Sequence, residues 1–185
     1  MASIAANIIS RAEYPGLASE FYEPRWYAAY TSANHEKRVA LQLGQRSVEH
    51  FLPLYASVRR WKDRRVELEL PLFPGYVFVR STLRDRLQVL QVPGIAKLVG
   101  FGGQPTALPD QEIDALRQGL SRAMRLEPHP YLKVGRRVRV TTGPLQGLEG
   151  ILVRKKNCSR FVISLDLIMR SVAAEIDVAE LEPVR

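Results

Sequence analysis

The feature that most constrains the fold of this chain is the segment at residues 71–79, which reads PLFPGYVFV. Proline has no backbone N–H to donate to a sheet ladder, so Pro71 and Pro74 are expected where a strand begins rather than inside it. The residues that follow are aromatic or β-branched, which favours extended structure. The segment therefore predicts a strand that starts near Gly75.

This predicted strand is apolar on both faces. Because side chains alternate along a strand, Tyr76 and Phe78 share one face while Val77 and Val79 share the other. Such a strand is either central in a layered domain or covered on one side by another molecule. The valines are expected in the core, whereas the aromatic rings, with that of Phe73, suit either a core or a protein interface.

Composition limits the class of protein. The chain has 185 residues, of which 46% are hydrophobic and 25% charged, as in an ordinary globular protein of one or two domains. The net charge of +8 makes a polyanion the first partner to consider. The single Cys158 provides neither a disulfide nor a cysteine pair for zinc, which fits a reducing cytoplasm.

The first 23 residues form no recognisable targeting segment. They have no basic n-region, and their short apolar run is interrupted by Ala and Asn and followed by Arg11 and Glu13. Residues 1–23 are therefore expected to be a mobile tail, and not a signal peptide or a membrane span.

Residues 24–124 predict an α+β domain. Strands are expected at residues 25–31, 50–61, 66–70, 75–79 and 95–101, and an amphipathic helix with a basic outer face at 35–46. Leu83, Leu87 and Leu90 recur at helical spacing and predict a second helix. A third begins at Asp110, with Ile113, Leu116, Leu120 and Met124 on its apolar face. This order indicates an antiparallel sheet flanked by helices.

The turn between the second and third strands is strongly basic. Five basic residues, one aromatic and one acid occupy its seven positions: Arg59, Arg60, Trp61, Lys62, Asp63, Arg64 and Arg65. Such a tip can hold a phosphate backbone and stack on a base. Charged turns are also commonly just solvated, and the sequence leaves both interpretations open.

A second unit follows a change in composition. Residues 125–132 contain two prolines and little periodicity, so they are predicted to be a linker. Residues 133–185 read as short strands separated by turns, which favours a small closed barrel over an open sheet because closure removes exposed edges.

No catalytic constellation is present in the sequence. His35, His50 and His129 lack metal-ligand spacing, and Cys158 has no histidine nearby in the sequence. We therefore expect no enzyme activity, no metal and no cofactor.

Several segments together resemble a known family. WYAAYTSANHEKRVALQL, FLPLYASVRRW, PLFPGYVFV, VPGIAKLVGFGGQP and PDQEIDALRQGL resemble, in that order, the N-terminal (NGN) domain of NusG-type transcription factors. KVGRRVRVTTGPLQGLEGILVRKK resembles their C-terminal KOW motif, which forms a small SH3-like barrel. The likeness covers residues 25–184 and looks strongest to the specialised NusG paralogues of the UpxY or RfaH kind, which govern polysaccharide or other long operons.

The resemblance implies a cytoplasmic, monomeric processivity factor that rides RNA polymerase, with a four-stranded antiparallel sheet in its first domain. In the family this domain docks on the β′ clamp helices through a hydrophobic depression and bridges to the β gate loop. The positions matching the depression are Tyr30, Phe73, Pro74, Tyr76 and Phe78. Those matching the gate-loop contact are Asp85, Arg86 and Leu87.

The resemblance also implies contacts with nucleic acid and with a further factor. Basic residues of the first helix touch non-template DNA in specialised paralogues, which here points to His35, Lys37 and Arg38; the basic turn would add contacts to DNA or nascent RNA. The family's KOW barrel recruits Rho or a small-subunit ribosomal protein, and the matching surface is Leu145, Ile168, Met169 and Arg170.

A different class of protein remains an alternative. KOW barrels also occur in ribosomal proteins, and a charge of +8 suits RNA. An RNA-binding or ribosome-associated module would have no need of an exposed aromatic strand in the first domain, whereas a protein that docks on polymerase would.

Overall fold

The computed structural model describes residues 21–61, 64–122, 124–132, 135–155 and 158–184. The tail predicted at residues 1–23 lies outside this part of the chain except for its last three residues, and Lys62 and Asp63 also lie outside it. Among the described residues, no helix is both long and apolar enough to cross a membrane.

The N-terminal part of the chain alternates strands and helices. Its elements are β1 (Arg25–Thr31), α1 (Glu36–Gln45), β2 (Glu49–Phe51), β3 (Leu54–Trp61), β4 (Arg64–Pro71), β5 (Tyr76–Ser81), α2 (Arg86–Leu90), β6 (Ile95–Leu98), β7 (Gly100–Phe101), β8 (Gln104–Pro105) and α3 (Asp110–Ser121).

Four of these strands form an antiparallel sheet in the order β2-β5-β1-β6. Strand β5 lies inside the sheet, and its register with β1 places Tyr76 opposite Tyr30 and Phe78 opposite Ala28. The predicted four-stranded antiparallel sheet with flanking helices is confirmed. An internal position explains why β5 is apolar on both faces, since each face needs its own cover.

One face of the sheet is covered by α1 and α2. Val77 and Val79 of β5 share a buried cluster with Val39 and Leu43 of α1 and Val89 of α2. Because Val39 and Leu43 are four residues apart, they lie on one side of α1 and leave its basic side chains, Lys37 and Arg38, to solvent.

The other face is covered by α3 and the C-terminal part of the chain. Trp26 and Phe78 of the sheet belong to one buried cluster with Ile113 and Leu116 of α3. Phe73, in the turn before β5, packs edge-to-face on Phe78 with ring centroids 5.4 Å apart. The rings of Phe73 and Phe78 are only 1% and 0% exposed.

Strands β3 and β4 form a separate two-stranded sheet and do not join the four-stranded one. The single strand predicted at residues 50–61 divides at Pro53, so β2 pairs with β5 while β3 pairs with β4 over eight residue pairs. Most side chains of β4 are exposed. We call β3 and β4 together the hairpin arm.

The C-terminal part is built almost entirely of strands. Its elements are β9 (Leu126–His129), β10 (Arg136–Val140), β11 (Glu149–Lys155), β12 (Cys158–Leu165), β13 (Arg170–Glu175) and β14 (Leu181–Pro183), with short 3-10 helices at Asp166–Ile168 and Val178–Glu180. They form one antiparallel sheet in the order β14-β10-β11-β12-β13-β9. The all-β character predicted for this part is confirmed, but in the described residues no ladder joins β14 to β9 to close the sheet.

The stretch predicted to be a linker is instead structured. Residues Leu126–His129 form β9, which pairs antiparallel with β13. The two prolines suggested irregular backbone, but β9 is an edge strand, where proline is tolerated because one side of the strand has no ladder to complete.

The two parts of the chain pack against each other through α3. Leu145, Phe161 and Ile168 of the C-terminal part belong to the same buried cluster as Ile113 and Leu116 of α3. The packing is close: a Cβ built on Gly119 of α3 would lie 3.4 Å from Leu145 Cδ2.

An acidic residue of α3 lies at this seam. Glu112 lines a cleft of about 570 Å³ together with Arg137, Glu149 and Asp166 of the C-terminal part. Burial first, and then the negative charge of Asp166, raise the pKa of the Glu112 carboxyl to about 7.

We expect Phe73→Ala to lower the free energy of unfolding by about 3–5 kcal/mol, because it removes an enclosed ring and leaves a cavity beside Phe78. Urea denaturation followed by circular dichroism measures the change. Leu87→Ala is the matched control, since this side chain is 61% exposed and its loss should change stability by only about 0.5 kcal/mol. Equal effects of the two variants would contradict the buried position of Phe73.

The stability of the protein should fall between about pH 4.5 and pH 7 as Glu112 loses its proton. A carboxyl whose pKa is raised in the folded state stabilises the fold below its ordinary pKa, and that contribution is lost as the pH rises through the folded value. Glu112→Gln should flatten this part of the stability profile in urea titrations, whereas Asp114→Asn on the exposed side of α3 should not. Parallel profiles for wild type and Glu112→Gln would refute the assignment.

Candidate functional site

Two tyrosines lie at the end of the sheet face where the cover by α3 and the C-terminal part stops. Tyr30 of β1 and Tyr76 of β5 are direct cross-strand partners, and their ring centroids lie 5.5 Å apart. Tyr30 is 42% exposed, unlike the buried rings of Trp26 and Phe78 further along the same face. We call Tyr30 and Tyr76 the tyrosine pair; it offers a partner an apolar surface with two hydroxyl groups at its margin.

The turn before β5 is held tightly against this pair. Gly75 has φ = +86°, a conformation that favours glycine, and a Cβ built there would lie 3.4 Å from Tyr30 Cε2. Its N–H donates to Glu36 Oε1 at 2.7 Å, and its carbonyl accepts from Thr31 N at 2.9 Å. Pro74, in the same turn, is exposed.

Arg170 of the C-terminal part lies over the ring of Tyr76. Its guanidinium carbon is 6.0 Å from the centroid of the Tyr76 ring, at the limit of a cation–π contact. The structure therefore brings together a residue predicted to bind a further factor and one predicted to bind polymerase.

The predicted aromatic surface is smaller than expected. Phe73 and Phe78 were expected among its exposed rings, but both are buried in the protein's own core. Periodicity placed Phe78 on the same face as Tyr76, and it could not reveal that α3 and the C-terminal part cover one end of that face and not the other. Of the predicted aromatic positions, only Tyr30 and Tyr76 remain at the surface.

The prediction of a partner-binding surface on the C-terminal part also needs correction, because two of its four residues are buried. Leu145 and Ile168 are buried in the cluster shared with α3, so neither presents its side chain to a partner in this arrangement. Their neighbours Met169 and Arg170 are exposed. Met169 adopts φ = 50°, at the point where the chain leaves a 3-10 helix and enters β13.

The residues predicted to touch the gate loop lie apart from the tyrosine pair. Asp85 precedes α2, and its carboxylate accepts a hydrogen bond from Thr82 Oγ1 at 2.7 Å. Arg86 and Leu87 are exposed. Because α2 packs on the opposite face of the sheet from the tyrosine pair, the two sets of predicted contact residues lie on different sides of the sheet.

The basic residues of α1 lie beside the hairpin arm. Lys37 Nζ is 4.0 Å from Glu69 Oε2 of β4, and Lys37, Arg38 and the preceding His35 are exposed. The first helix thus contacts the hairpin arm at Glu69, which lies four residues along β4 from the basic Arg65.

The hairpin arm ends in unbalanced positive charge. Arg60 and Arg65 are direct cross-strand partners, and Trp61 is paired with Arg64. Arg60, Arg64 and Arg65 are exposed, and no acidic group of the described residues forms a salt bridge with them. Arg59 also lies on β3 near this end. Like charges directly opposite one another destabilise a ladder, so the arrangement favours an anionic partner.

One residue in the site was missed by sequence reasoning. Glu36 is 4% exposed and holds the turn at Gly75. Its position gave no signal, because an acid in the first turn of a helix is ordinarily an exposed complement to the helix dipole.

A metal site is not evident in the part of the chain that the structure describes, where no three His, Cys, Asp or Glu side chains are grouped to hold an ion.

Comparison with protein families identifies one match. The family described as "NusG: Transcription termination factor nusG" matches residues 24–117, which is about half of the chain.

Known relatives cover nearly the whole chain. The "Transcription termination/antitermination protein NusG" of Lactococcus lactis is 26% identical over 178 residues, spanning 89% of this chain and 95% of that protein. The protein of the same name from Haemophilus influenzae is 26% identical over 179 residues, spanning 86% and 94%.

A solved structure described as "Domain interaction in Thermotoga maritima NusG" has a similar fold. It superposes with a TM-score of 0.55 at 22% sequence identity and covers 88% of this chain and 98% of that one. At this identity the likeness supports the fold alone.

Proposed function

Because the chain belongs to the NusG family of transcription factors, we propose that it binds RNA polymerase and promotes processive elongation as an antitermination factor. The observation that carries the proposal is the tyrosine pair, in which an exposed Tyr30 lies beside a half-buried Tyr76 at the edge of a largely buried sheet face. Such a protein acts in the cytoplasm as a monomer and needs no cofactor.

The tyrosine pair and Pro74 form the contact with the β′ clamp helices in this proposal. Exposed aromatic residues on a rigid support are typical interface anchors, because they bury a large area and lose few rotamers on binding. Phe73 and Phe78 contribute indirectly, since both are buried, Phe78 lies in the same strand as Tyr76, and Phe73 packs on Phe78.

Asp85, Arg86 and Leu87 form a second contact, with the β gate loop. Leu87 is an exposed apolar side chain on a helix that packs against the other face of the sheet. A rigid sheet with contacts on two sides can join two polymerase elements across the cleft and hold the clamp closed, which is how the factor would oppose pausing.

The basic surface of α1 and the hairpin arm binds nucleic acid beside the polymerase. Its members are His35, Lys37, Arg38, Arg59, Arg60, Lys62, Arg64 and Arg65. The non-template DNA strand or the nascent RNA would supply an anionic partner for Arg60, Arg64 and Arg65, which form no salt bridge within the described residues.

The C-terminal part recruits a further factor, either Rho or a small-subunit ribosomal protein. Met169 and Arg170 are its exposed candidates, and Leu145 and Ile168 lie beneath them. Since Arg170 contacts Tyr76, a clamp helix that covers the Tyr76 ring would displace this arginine and free it for the second partner.

An RNA-binding or ribosome-associated role is the alternative, and the arginines at the end of the hairpin arm favour it. A pull-down with purified RNA polymerase at moderate salt separates the two. Retention of polymerase supports the proposal, whereas retention of RNA without polymerase supports the alternative.

Tyr30→Ala should weaken binding to purified RNA polymerase by about 1–3 kcal/mol, the amount typical of an interface anchor. Its ring is exposed, so the fold should be retained, as circular dichroism would verify. Leu41→Ala provides a control of similar exposure, at 65%, on the outer side of α1. If Tyr30→Ala binds as tightly as Leu41→Ala, the tyrosine pair is not the docking surface.

Replacing Arg60, Arg64 and Arg65 together by alanine should lower the salt dependence of binding to single-stranded DNA. Each lost phosphate contact reduces the slope of log K against log salt by about 0.7, so the triple variant should lose about 2. Arg139→Ala removes an arginine that is already paired with Glu149 and Glu182, and it should leave the slope unchanged. An unaltered slope in the triple variant would place the nucleic-acid contact elsewhere.

A further inference from the structure

A carboxylate is buried where charged side chains are usually solvated. Glu36 opens α1, yet it is only 4% exposed. Within the described residues it forms no salt bridge. An acid in such a place carries a desolvation cost, which is offset by the positive end of α1 and by the hydrogen bond from Gly75.

That hydrogen bond joins two segments 39 residues apart in the chain. Glu36 Oε1 accepts from Gly75 N at 2.7 Å. The carbonyl of Gly75 in turn accepts from Thr31 N at 2.9 Å. Both backbone groups of Gly75 are thus bound to the corner where β1 ends and α1 begins, immediately beside Tyr30.

The turn cannot shift without moving the tyrosine pair. The backbone of Gly75 lies close to the Tyr30 ring, since a Cβ at this position would be 3.4 Å from Tyr30 Cε2. Tyr76 directly follows Gly75 and packs on the same ring. Tyr76 N also donates to Phe73 O at 3.1 Å, which closes the turn. The orientation of both rings therefore depends on where Gly75 is held.

We propose that Glu36 is the positioning residue of the polymerase-docking surface: its carboxylate fixes the turn at Gly75 and so sets the geometry of Tyr30 and Tyr76. The inference rests on the proposed function, because the tyrosine pair must be the docking surface for its geometry to matter to binding. Glu36 itself is enclosed and touches no partner, so its effect on affinity is indirect.

Two substitutions separate this role from general stabilisation. Glu36→Gln keeps a side-chain oxygen that can accept from Gly75, whereas Glu36→Ala leaves the Gly75 N–H without an acceptor. Leu43→Ala is the stability control, because Leu43 is buried two turns further along α1 and faces the opposite side of the sheet from the tyrosine pair.

Three measurements are made on the full chain: the melting temperature, the affinity for purified RNA polymerase well below that temperature, and the hydrogen-exchange protection of the Gly75 amide by NMR. We expect Glu36→Ala to bind polymerase about tenfold more weakly and to lose the protection at Gly75. Glu36→Gln should retain most of both. Leu43→Ala should melt earlier with affinity and Gly75 protection unchanged.

The outcomes are distinguishable. Retained protection at Gly75 in Glu36→Ala would overturn the positioning role, as would a loss of affinity in Leu43→Ala equal to that in Glu36→Ala. Lost protection at Gly75 with polymerase affinity unchanged would also overturn it, and Tyr30→Ala then locates the fault: wild-type affinity in that variant would mean that the proposed docking surface itself is wrong.

Discussion

The structure depends on the burial of a central strand, β5, that is apolar on both sides. At about 25 cal/mol per Å² of apolar surface, neither face can be left in water without a large loss of stability. Helices α1 and α2 cover one face, and α3 with the C-terminal part covers most of the other. The cover ends at Tyr30 and Tyr76. An aromatic pair with one exposed ring, at the edge of a buried face, is supported by that buried face, as an interface anchor requires.

Sequence periodicity predicted the elements better than it predicted what covers them. Alternation along β5 and the four-residue spacing of Val39 and Leu43 each identify a buried face directly, because burial on one side imposes the pattern. The pattern carries no information on whether the cover belongs to the same chain. For this reason the pattern left Phe78 open to a core or an interface, and the family resemblance placed it in a docking surface, whereas the structure buries it in the core. Short elements were also less well predicted. Leu83, Leu87 and Leu90 suggested an apolar helix face, but α2 has only five residues, buries Val89 and exposes Leu87, while Leu83 and Leu90 are partly buried.

The distribution of charge over the fold says more about where a polyanion would bind than the net charge does. In the C-terminal part, Arg139 pairs with Glu149 and Glu182, and Arg160 pairs with Glu127 and Glu175. These arginines contribute to the net charge of +8 while their fields are largely balanced nearby. Within the described residues, Arg60, Arg64 and Arg65 at the end of the hairpin arm form no such salt bridges. Composition could indicate a polyanion partner, but only the cross-strand register of the arm shows which of these cations lie side by side.

The seam between the two parts of the chain contains strong apolar contacts and one weak contact, and this difference determines which part of the seam a partner can open most easily. Its apolar contacts, such as Leu145 against α3, account for most of its stability. The Arg170 contact with Tyr76 is at the margin of the seam, partly exposed and long at 6.0 Å, so it contributes little. A partner could therefore displace Arg170 at a small cost in free energy and reach the Tyr76 ring. To separate the two parts of the chain, the partner would also have to replace the apolar contacts that cover α3. The docking that we propose at the tyrosine pair therefore differs in cost from opening of the seam, and it does not require that opening.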